Sequence, residues 1–255
     1  MGKIYAHMFL YPLDKQIAIC VDRKINCLIS LTATTLLDLK QSDVELINDA
    51  GRKIQIAYHA PPHDMFPGSV DPYVRKVAKL RLSETLDLAS KTHATHIVAH
   101  INYIEDMHKY HVRSWIENSL ELFEELIRLY RVPIHIENGY EQTPEIFYRM
   151  LKEAKNDLLG FALDIGHVLA YSKEPLEIWI SRLSDYIREI HIHETRPGVD
   201  EHLAVGSGLV DWDQILAMLE NNGVSINRIC ITIEPRNEND LDRSIRYLRD
   251  TLGLI

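Results

Sequence analysis

The amino-acid sequence predicts an α/β fold, a single (β/α)8 barrel that spans residues 1–255. Short apolar, β-branched runs alternate eight times with segments whose apolar residues recur at helical spacing. The length of 255 residues lies in the range in which α/β barrels form one domain. An open doubly wound sheet usually has a glycine-rich turn after its first strand, and the corresponding segment AHMFLYPLDK (6–15) contains no glycine. The pattern therefore favours the closed barrel.

The individual elements follow from hydrophobic periodicity. The predicted strands are KIYAHMF (3–9), NCLISLT (26–32), KIQIAYHA (53–60), HIVAHIN (96–102), VPIHIEN (132–138), GFALDIGH (160–167), YIREIHIHE (186–194) and RICITIEP (228–235). The predicted helices are 74–92, 112–131, 143–155, 174–186, 211–222 and 239–253, with weaker patterns at 13–23 and 42–51. Two helix starts carry capping signals: Thr143 followed by Pro144, and Asp211.

Composition and charge narrow the classes of function. The chain is 46% hydrophobic and 25% charged, which is typical of a globular protein. Its net charge of −9 disfavours broad contact with nucleic acid or with anionic membranes. The three cysteines form no CxxC pair, no apolar run approaches the ~18 residues of a membrane span, and no signal peptide is recognisable. We therefore expect a cytoplasmic protein without a disulfide framework.

Polar residues end most of the predicted strands, and this placement carries the functional signal. In a (β/α)8 barrel the catalytic groups lie at the carboxyl ends of the strands. Strand 1 contains His7, and strands 3 to 8 supply His59, His100, Glu137, Asp164, His167, His191, His193 and Glu234, with Asp200 and His202 in the loop after strand 7. A single histidine of this kind usually has a structural role. Because all these strand ends converge on one mouth, we expect a divalent cation there, and mixed His and carboxylate ligands favour Zn, Mn, Fe or Co.

Five motifs within residues 53–235 identify a family resemblance. They are IEN (136–138), LDIGH (163–167), HIHE (191–194), DEHLAVGSGLVDW (200–212) and IEP (233–235). In order and spacing they resemble the xylose isomerase-like TIM-barrel superfamily. That superfamily contains sugar and sugar phosphate isomerases and epimerases, and also the endonuclease IV type of abasic-site nucleases (AP endonuclease family 2). The resemblance implies the barrel fold but leaves the activity open.

The isomerase and epimerase branch implies a site with a single metal ion. The resemblance assigns the metal to Glu137, Asp164, His191 and Glu234, with His167 nearby as a catalytic residue. Glu137 and Glu234 would also act as the acid and base that move a proton next to a substrate carbonyl. The metal would polarise the substrate oxygens and stabilise the negative charge that develops.

The endonuclease IV branch implies three zinc ions and nine ligands. The matching positions are His59, His100, Glu137, Asp164, His167, His191, Asp200, His202 and Glu234. Such a site would hydrolyse a phosphodiester or an amide-type bond, and relatives that hydrolyse cobamide-type molecules are a third alternative. The segments that follow the strand ends carry few basic residues, which disfavours duplex DNA as the substrate.

The sequence favours an isomerase or epimerase of a small sugar or sugar phosphate, with one to three metal ions. Arg196 and Arg236 near the mouth are expected to bind a phosphate or carboxylate of the substrate. Tyr140 is expected to line the pocket, and His193 to lie next to the ligand set and contact the substrate. Homo-oligomerisation is a further expectation. A barrel that only binds a ligand is disfavoured because Glu137 and the other key acids are all present.

Overall fold

Eight parallel strands, hydrogen-bonded in chain order, close into a barrel in the computed structural model, which describes residues 3–254. The strands are β1 (Lys3–Ala6), β2 (Asn26–Ser30), β3 (Ile56–His59), β4 (Ile97–His100), β5 (Ile134–Glu137), β6 (Leu159–Asp164), β7 (Ile187–Ile192) and β8 (Cys230–Ile233). The barrel closes where β1 pairs with β8, with Lys3 opposite Cys230 and Ala6 opposite Ile233. The predicted (β/α)8 fold class is confirmed.

Helices follow the strands and form the outer layer. They are α1 (Leu13–Arg23), α2 (Ala33–Asp38), α3 (Gln41–Gly51), α4 (Pro72–Lys91), α5 (Glu105–His108), α6 (Val112–Tyr130), α7 (Glu145–Glu153), α8 (Ile165–Tyr171), α9 (Leu176–Leu183), α10 (Trp212–Asn221) and α11 (Glu238–Asp250). All eight helices predicted from the sequence are present. Periodicity missed the short helices α2, α5 and α8 because one or two turns are too short to show an amphipathic pattern. None of the helices in 3–254 combines the length and the apolar character that crossing a membrane requires.

Local capping signals in the sequence predicted the first residue of one helix correctly and that of another helix less well. Asp211 caps α10 as predicted, since its side chain accepts a hydrogen bond from the Gln214 N–H. The predicted cap at Thr143 is wrong by one residue: α7 begins at Glu145, and Pro144 occupies the N-cap position without a side-chain hydrogen bond.

Strand 6 is shorter than the sequence pattern indicated. The predicted strand 160–167 ends at Asp164, and its last residues are the first turn of α8. The Asp164 side chain accepts a 2.6 Å hydrogen bond from the His167 N–H and so caps this helix. The cap turns the chain sharply at the barrel mouth and brings Asp164 and His167 to the same side.

Two separate apolar regions support the barrel. The larger core lies between the strands and the helices and includes Ile190 and Ile192. A small cluster from five strands fills the barrel interior: Tyr5, Leu28, Ala57, Val98 and Ala162. Because side chains alternate along a strand, the neighbours of the outward-facing isoleucines of β7 point inward and are fully buried, and these are Glu189, His191 and His193.

Candidate metal centre

Four side chains from neighbouring strand ends form the centre of the site. Register brings them together: Asp164 of β6 lies opposite His191 of β7, Glu137 ends β5 and Glu234 follows β8. The Nδ1 atom of His191 lies 3.1 Å from Glu137 Oε1, 3.0 Å from Glu234 Oε1 and 4.0 Å from Asp164 Oδ2. All four side chains are buried, and one ligand atom from each lies within 4.8 Å of the others.

The donor set of this central cluster fits a divalent cation. Asp164 Oδ2 and His191 Nδ1 are buried and have no aligned hydrogen-bond partner within residues 3–254, although carboxylate oxygens lie close to the imidazole. Leaving such groups unsatisfied costs about 1–3 kcal/mol each. Lone pairs that converge without forming hydrogen bonds are the arrangement of metal ligands, and three carboxylates with one imidazole suit Zn or Mn.

The electrostatics of the central cluster keep Glu137 and Glu234 ionised. Burial opposes ionisation of Glu137, but the imidazoles of His191, His100 and His59 outweigh it and hold its pKa well below the ordinary value. Burial likewise opposes ionisation of Glu234, and His191 and His7 hold its pKa well below the ordinary value. The cluster therefore concentrates negative charge in a region of low dielectric constant, where a cation is stabilised.

A second cluster shares Glu137 with the first. The Nε2 atoms of His59 and His100 lie 2.9 Å and 3.3 Å from Glu137 Oε2, the oxygen that faces away from His191. These three residues also offer ligand atoms within 4.8 Å of one another. Burial lowers the pKa of His100 to about 4, so its imidazole is neutral at pH 7 and able to act as a ligand. Glu137 thus connects two groups of potential metal ligands.

A third cluster lies towards the loop after β7. Asp200 Oδ2 is 3.3 Å from His167 Nε2 and 3.1 Å from His202 Nε2, and Asp200 Oδ1 is 3.7 Å from His193 Nε2. His202 Nδ1 lies 3.4 Å from Glu234 Oε2 and so connects this cluster to the central one. All nine residues that the sequence proposed as metal ligands therefore lie in three adjoining clusters.

His7 is a residue of the site for which no role was predicted. Its Nδ1 atom lies 2.6 Å from Glu234 Oε1, and its ring stacks on His59 at 4.8 Å between centroids. His7 lies just beyond the end of β1, and this position at the barrel mouth is the signal that could have identified it. Because it contacts Glu234 on the side opposite His202, it fixes the orientation of that carboxylate.

Three of the four predicted substrate-binding residues lie away from the cavity. Arg196 extends into solvent and pairs with Glu201 at 3.1 Å, and Arg236 is exposed on the loop after β8. His193 is fully buried beneath His202, with 4.0 Å between the ring centroids. None of the three lines the cavity. The loops after β7 and β8 leave Arg196 and Arg236 exposed to solvent, and the pleat of β7 turns His193 into the barrel.

The fourth predicted residue, Tyr140, does line a cavity of about 630 Å³ that opens over the three clusters. Its ring lies 5.1 Å from that of Tyr171. Other apolar or aromatic lining residues are Phe9, Ala33, Pro61, Pro62, Phe66 and Ile104, and the uncharged polar ones include Ser30, Thr32, Thr34 and Asn102. No lysine or arginine within the described range 3–254 lines this cavity.

Comparisons with known proteins place these features among related chains. Residues 30–251 match the family model described as "Xylose isomerase-like TIM barrel". An uncharacterised protein of Methanocaldococcus jannaschii, MJ1311, is 26% identical over 215 residues, which are 80% of this chain and 72% of that protein. A D-tagatose 3-epimerase-like protein superposes with a TM-score of 0.83 at 21% identity and covers 99% of this chain and 97% of its own. The TTHB071 protein of Thermus thermophilus, from a crystal soaked with ZnCl2, superposes with a TM-score of 0.80 at 21% identity, and 98% of both chains is covered. At these identities the structural similarity shows a shared fold.

Proposed function

The chain belongs to the xylose isomerase-like TIM-barrel family, and from this premise we propose that it is a metal-dependent isomerase or epimerase of a small sugar. One observation carries the proposal. Two buried carboxylates, Glu137 and Glu234, lie 3.1 Å and 3.0 Å from the same nitrogen of His191 at the floor of an open cavity. Epimerisation next to a sugar carbonyl uses two such groups, one that removes the carbon-bound proton and one that returns a proton from the opposite face.

The metal would be held by Glu137, Asp164, His191 and Glu234. When bound, a divalent cation polarises substrate oxygens and stabilises negative charge next to a carbonyl group. Asp164 and His191 are the residues best suited to anchor it, because each directs a buried atom without an aligned hydrogen bond towards this point. The two glutamates are left to combine metal binding with proton transfer.

The surroundings of the two glutamates support their roles as acid and base. Glu137 Oε2 is held by His59 and His100, and Glu234 Oε1 is held by His7. These contacts fix each carboxylate, so that one removes a carbon-bound proton and the other returns a proton at a different face or atom. Positioning of this kind lowers the entropic part of the barrier.

The cavity lining supports an uncharged substrate. No lysine or arginine of the described range 3–254 reaches the cavity, so a phosphate group would lack the bidentate or ammonium partners that usually bind it. The hydroxyl groups of Ser30 and Thr34 and the amide oxygen of Asn102 suit the hydroxyl groups of a sugar, and Tyr140 and Tyr171 offer apolar faces for its C–H groups. We therefore favour an unphosphorylated sugar over a sugar phosphate.

A hydrolase with two or three metal ions is the second candidate. The observation that favours it is the sharing of Glu137, whose Oε1 faces His191 while its Oε2 faces His59 and His100. Such a carboxylate could bridge two cations, and Asp200 with His202 could hold a third. The absence of lysine and arginine from the cavity lining within 3–254 disfavours a nucleic-acid substrate for this reaction.

Metal analysis combined with an exchange assay tests the proposal. The purified protein is expected to contain about one divalent ion per chain and to incorporate deuterium from D2O into a ketose substrate. The variant Glu137→Gln should lose the exchange. Two or three tightly bound zinc ions together with cleavage of an abasic-site duplex would overturn the proposal in favour of the second candidate.

A further inference from the structure

A fourth carboxylate lies in the barrel interior beneath the central cluster. Glu189 precedes His191 by two residues on β7, so both side chains point inward. Glu189 is 0% exposed, and a buried carboxylate without partners is strongly unfavourable. None of the family motifs quoted above includes this residue, and the proposed reaction does not use it. Its position therefore requires a different explanation.

Four side chains surround the Glu189 carboxylate. Thr232 Oγ1 donates a 2.6 Å hydrogen bond to Oε1, and His135 Nδ1 makes a 2.8 Å hydrogen bond to Oε2. His96 Nε2 lies 2.9 Å from the same Oε2, and its ring stacks on that of His135 at 4.4 Å between centroids. The remaining neighbour is His191, whose Nε2 lies 3.3 Å from Oε1. The carboxylate is thus fixed by hydrogen bonds from Thr232 and His135, and its Oε1 lies close to His191 Nε2 without forming an aligned hydrogen bond.

His191 is therefore held between carboxylates at both ring nitrogens. Its Nδ1 faces Glu137 and Glu234, and its Nε2 faces Glu189. A neutral imidazole carries one proton, and a cation bound on the Nδ1 side leaves that proton on Nε2, next to the Glu189 carboxylate. With the proton on Nε2, the lone pair of Nδ1 points at the central cluster.

We propose that Glu189 is a positioning residue that holds the Nε2–H of His191, so that Nδ1 is presented as the metal-binding nitrogen. Metal-binding histidines commonly donate their second N–H to a carboxylate, which fixes the ring and raises its affinity as a ligand. The inference deepens the proposed function and rests on it for the presence of the metal. Thr232, His135 and His96 act on His191 indirectly, because they hold the Glu189 carboxylate in place.

The variant Glu189→Gln tests this role through the binding of Zn²⁺, measured by competition with a chromophoric chelator. Loss of a hydrogen-bonded carboxylate behind a histidine ligand is expected to weaken Zn²⁺ binding by about 10–100-fold. Glu141→Gln is the matched control, since Glu141 is also a buried glutamate but hydrogen-bonds the backbone N–H groups of Tyr103 and Gly139. The control should bind Zn²⁺ like the wild type. Equal affinities for wild type and Glu189→Gln, or equal losses in both variants, would overturn the positioning role.

A spectroscopic measurement separates positioning from general damage to the fold. In Zn²⁺-loaded protein with ¹⁵N-labelled histidine, His191 is expected to show a protonated Nε2 and a ligated Nδ1, with its signals assigned from the variant His191→Asn. Glu189→Gln should shift the Nε2–H signal. If Glu189→Gln fails to fold, Glu189→Asp keeps the charge, withdraws the carboxylate from His191 and should weaken Zn²⁺ binding in the same range.

The outcomes distinguish this inference from the proposed function. A wild-type protein that binds no Zn²⁺ overturns both. If Zn²⁺ were instead bound by His96 and His135, Glu189 would be a third ligand of that ion. This result would overturn the positioning role alone. Tight Zn²⁺ binding that depends on Glu189, in a protein that catalyses no sugar exchange, would support the positioning role while the isomerase proposal fails.

Discussion

Glu137 contacts His191 through one carboxylate oxygen, at 3.1 Å, and turns its other oxygen towards His59 at 2.9 Å. Glu137 therefore belongs to two of the three adjoining clusters of candidate ligands. The chemistry of the site depends on whether its second oxygen binds a metal or transfers a proton. If one metal is bound, Glu137 keeps an oxygen for proton transfer. If a second metal is held by His59 and His100, that oxygen becomes a ligand.

The substitution Glu137→Gln is expected to lower kcat/KM by on the order of 10²–10⁴-fold, because an amide cannot accept the substrate proton. Glu125→Gln is a suitable control, since Glu125 pairs with Lys79 on the outer surface and should retain wild-type activity. Steady-state kinetics with a ketose in D2O measures both. An active Glu137→Gln enzyme would rule out Glu137 as the base.

The substitution Asp200→Asn tests whether the third cluster binds a metal. Asp200 lines the cavity, and in a single-metal isomerase it is expected to contact the substrate, so the variant should raise KM and leave the metal content unchanged. Elemental analysis after dialysis measures the content, and initial rates measure KM. A metal content lower by one ion per chain would contradict the single-metal site.

Arg196 and Arg236 are expected to be dispensable for substrate binding, contrary to the prediction from sequence. Arg196 pairs with Glu201 outside the cavity, and Arg236 is exposed. The variants Arg196→Ala and Arg236→Ala should therefore change KM by less than about twofold, in line with the small energies of exposed charges. Tyr140→Ala serves as the positive control, because Tyr140 lines the cavity, and its KM should rise. A large increase in KM for either arginine variant would place that arginine at the substrate.

Gly166 is required for the packing of His193. A Cβ added at Gly166 would come within 2.0 Å of the His193 ring, which is fully buried. Gly166→Ala is therefore expected to destabilise the protein by about 1–3 kcal/mol through overpacking, measured by chemical denaturation. Gly51→Ala is the control, because the nearest atom to its added Cβ is 4.0 Å away, and its stability should match or exceed that of the wild type.

Glu141 gives the protein a specific dependence of stability on pH. Burial raises its pKa from 4.5 to about 7, although backbone N–H groups partly oppose this. Between these values the unfolded chain has released the proton that the folded chain still holds, so this contribution to stability is complete below about pH 4.5 and is lost as the pH rises to about 7. The expected loss is on the order of 3 kcal/mol.

The variant Glu141→Gln should lack this contribution. Free energies of unfolding from urea titrations at several pH values are expected to fall less steeply for Glu141→Gln than for the wild type across that range. Glu177→Gln, which removes an exposed carboxyl on α9, should follow the wild-type curve. Parallel curves for wild type and Glu141→Gln would show that Glu141 titrates normally in the folded protein.

The fold and the position of the candidate ligands at one mouth were largely predictable from sequence, because both depend on simple periodicities. Alternation of strands and helices predicted the barrel, and the rule that catalytic groups lie at strand ends brought Glu137, Asp164, His191 and Glu234 to one mouth. The end of β6 was predicted less well, because Asp164 caps a short helix that continues the apolar run. The single-domain boundaries, the homo-oligomer and the cytoplasmic location stay predictions.

The sequence by itself determined the barrel and the identity of the residues at its mouth, since both follow from the pattern of neighbours along the chain. Only the tertiary structure decided which atoms meet. Side-chain directions placed Arg196 and Arg236 outside the cavity and brought His7 against Glu234. The same is true of Glu189: strand alternation predicts that it points inward, but only the structure shows which side chains surround it. Contacts between residues far apart in the chain depend on register and barrel closure, and these are properties of the whole fold.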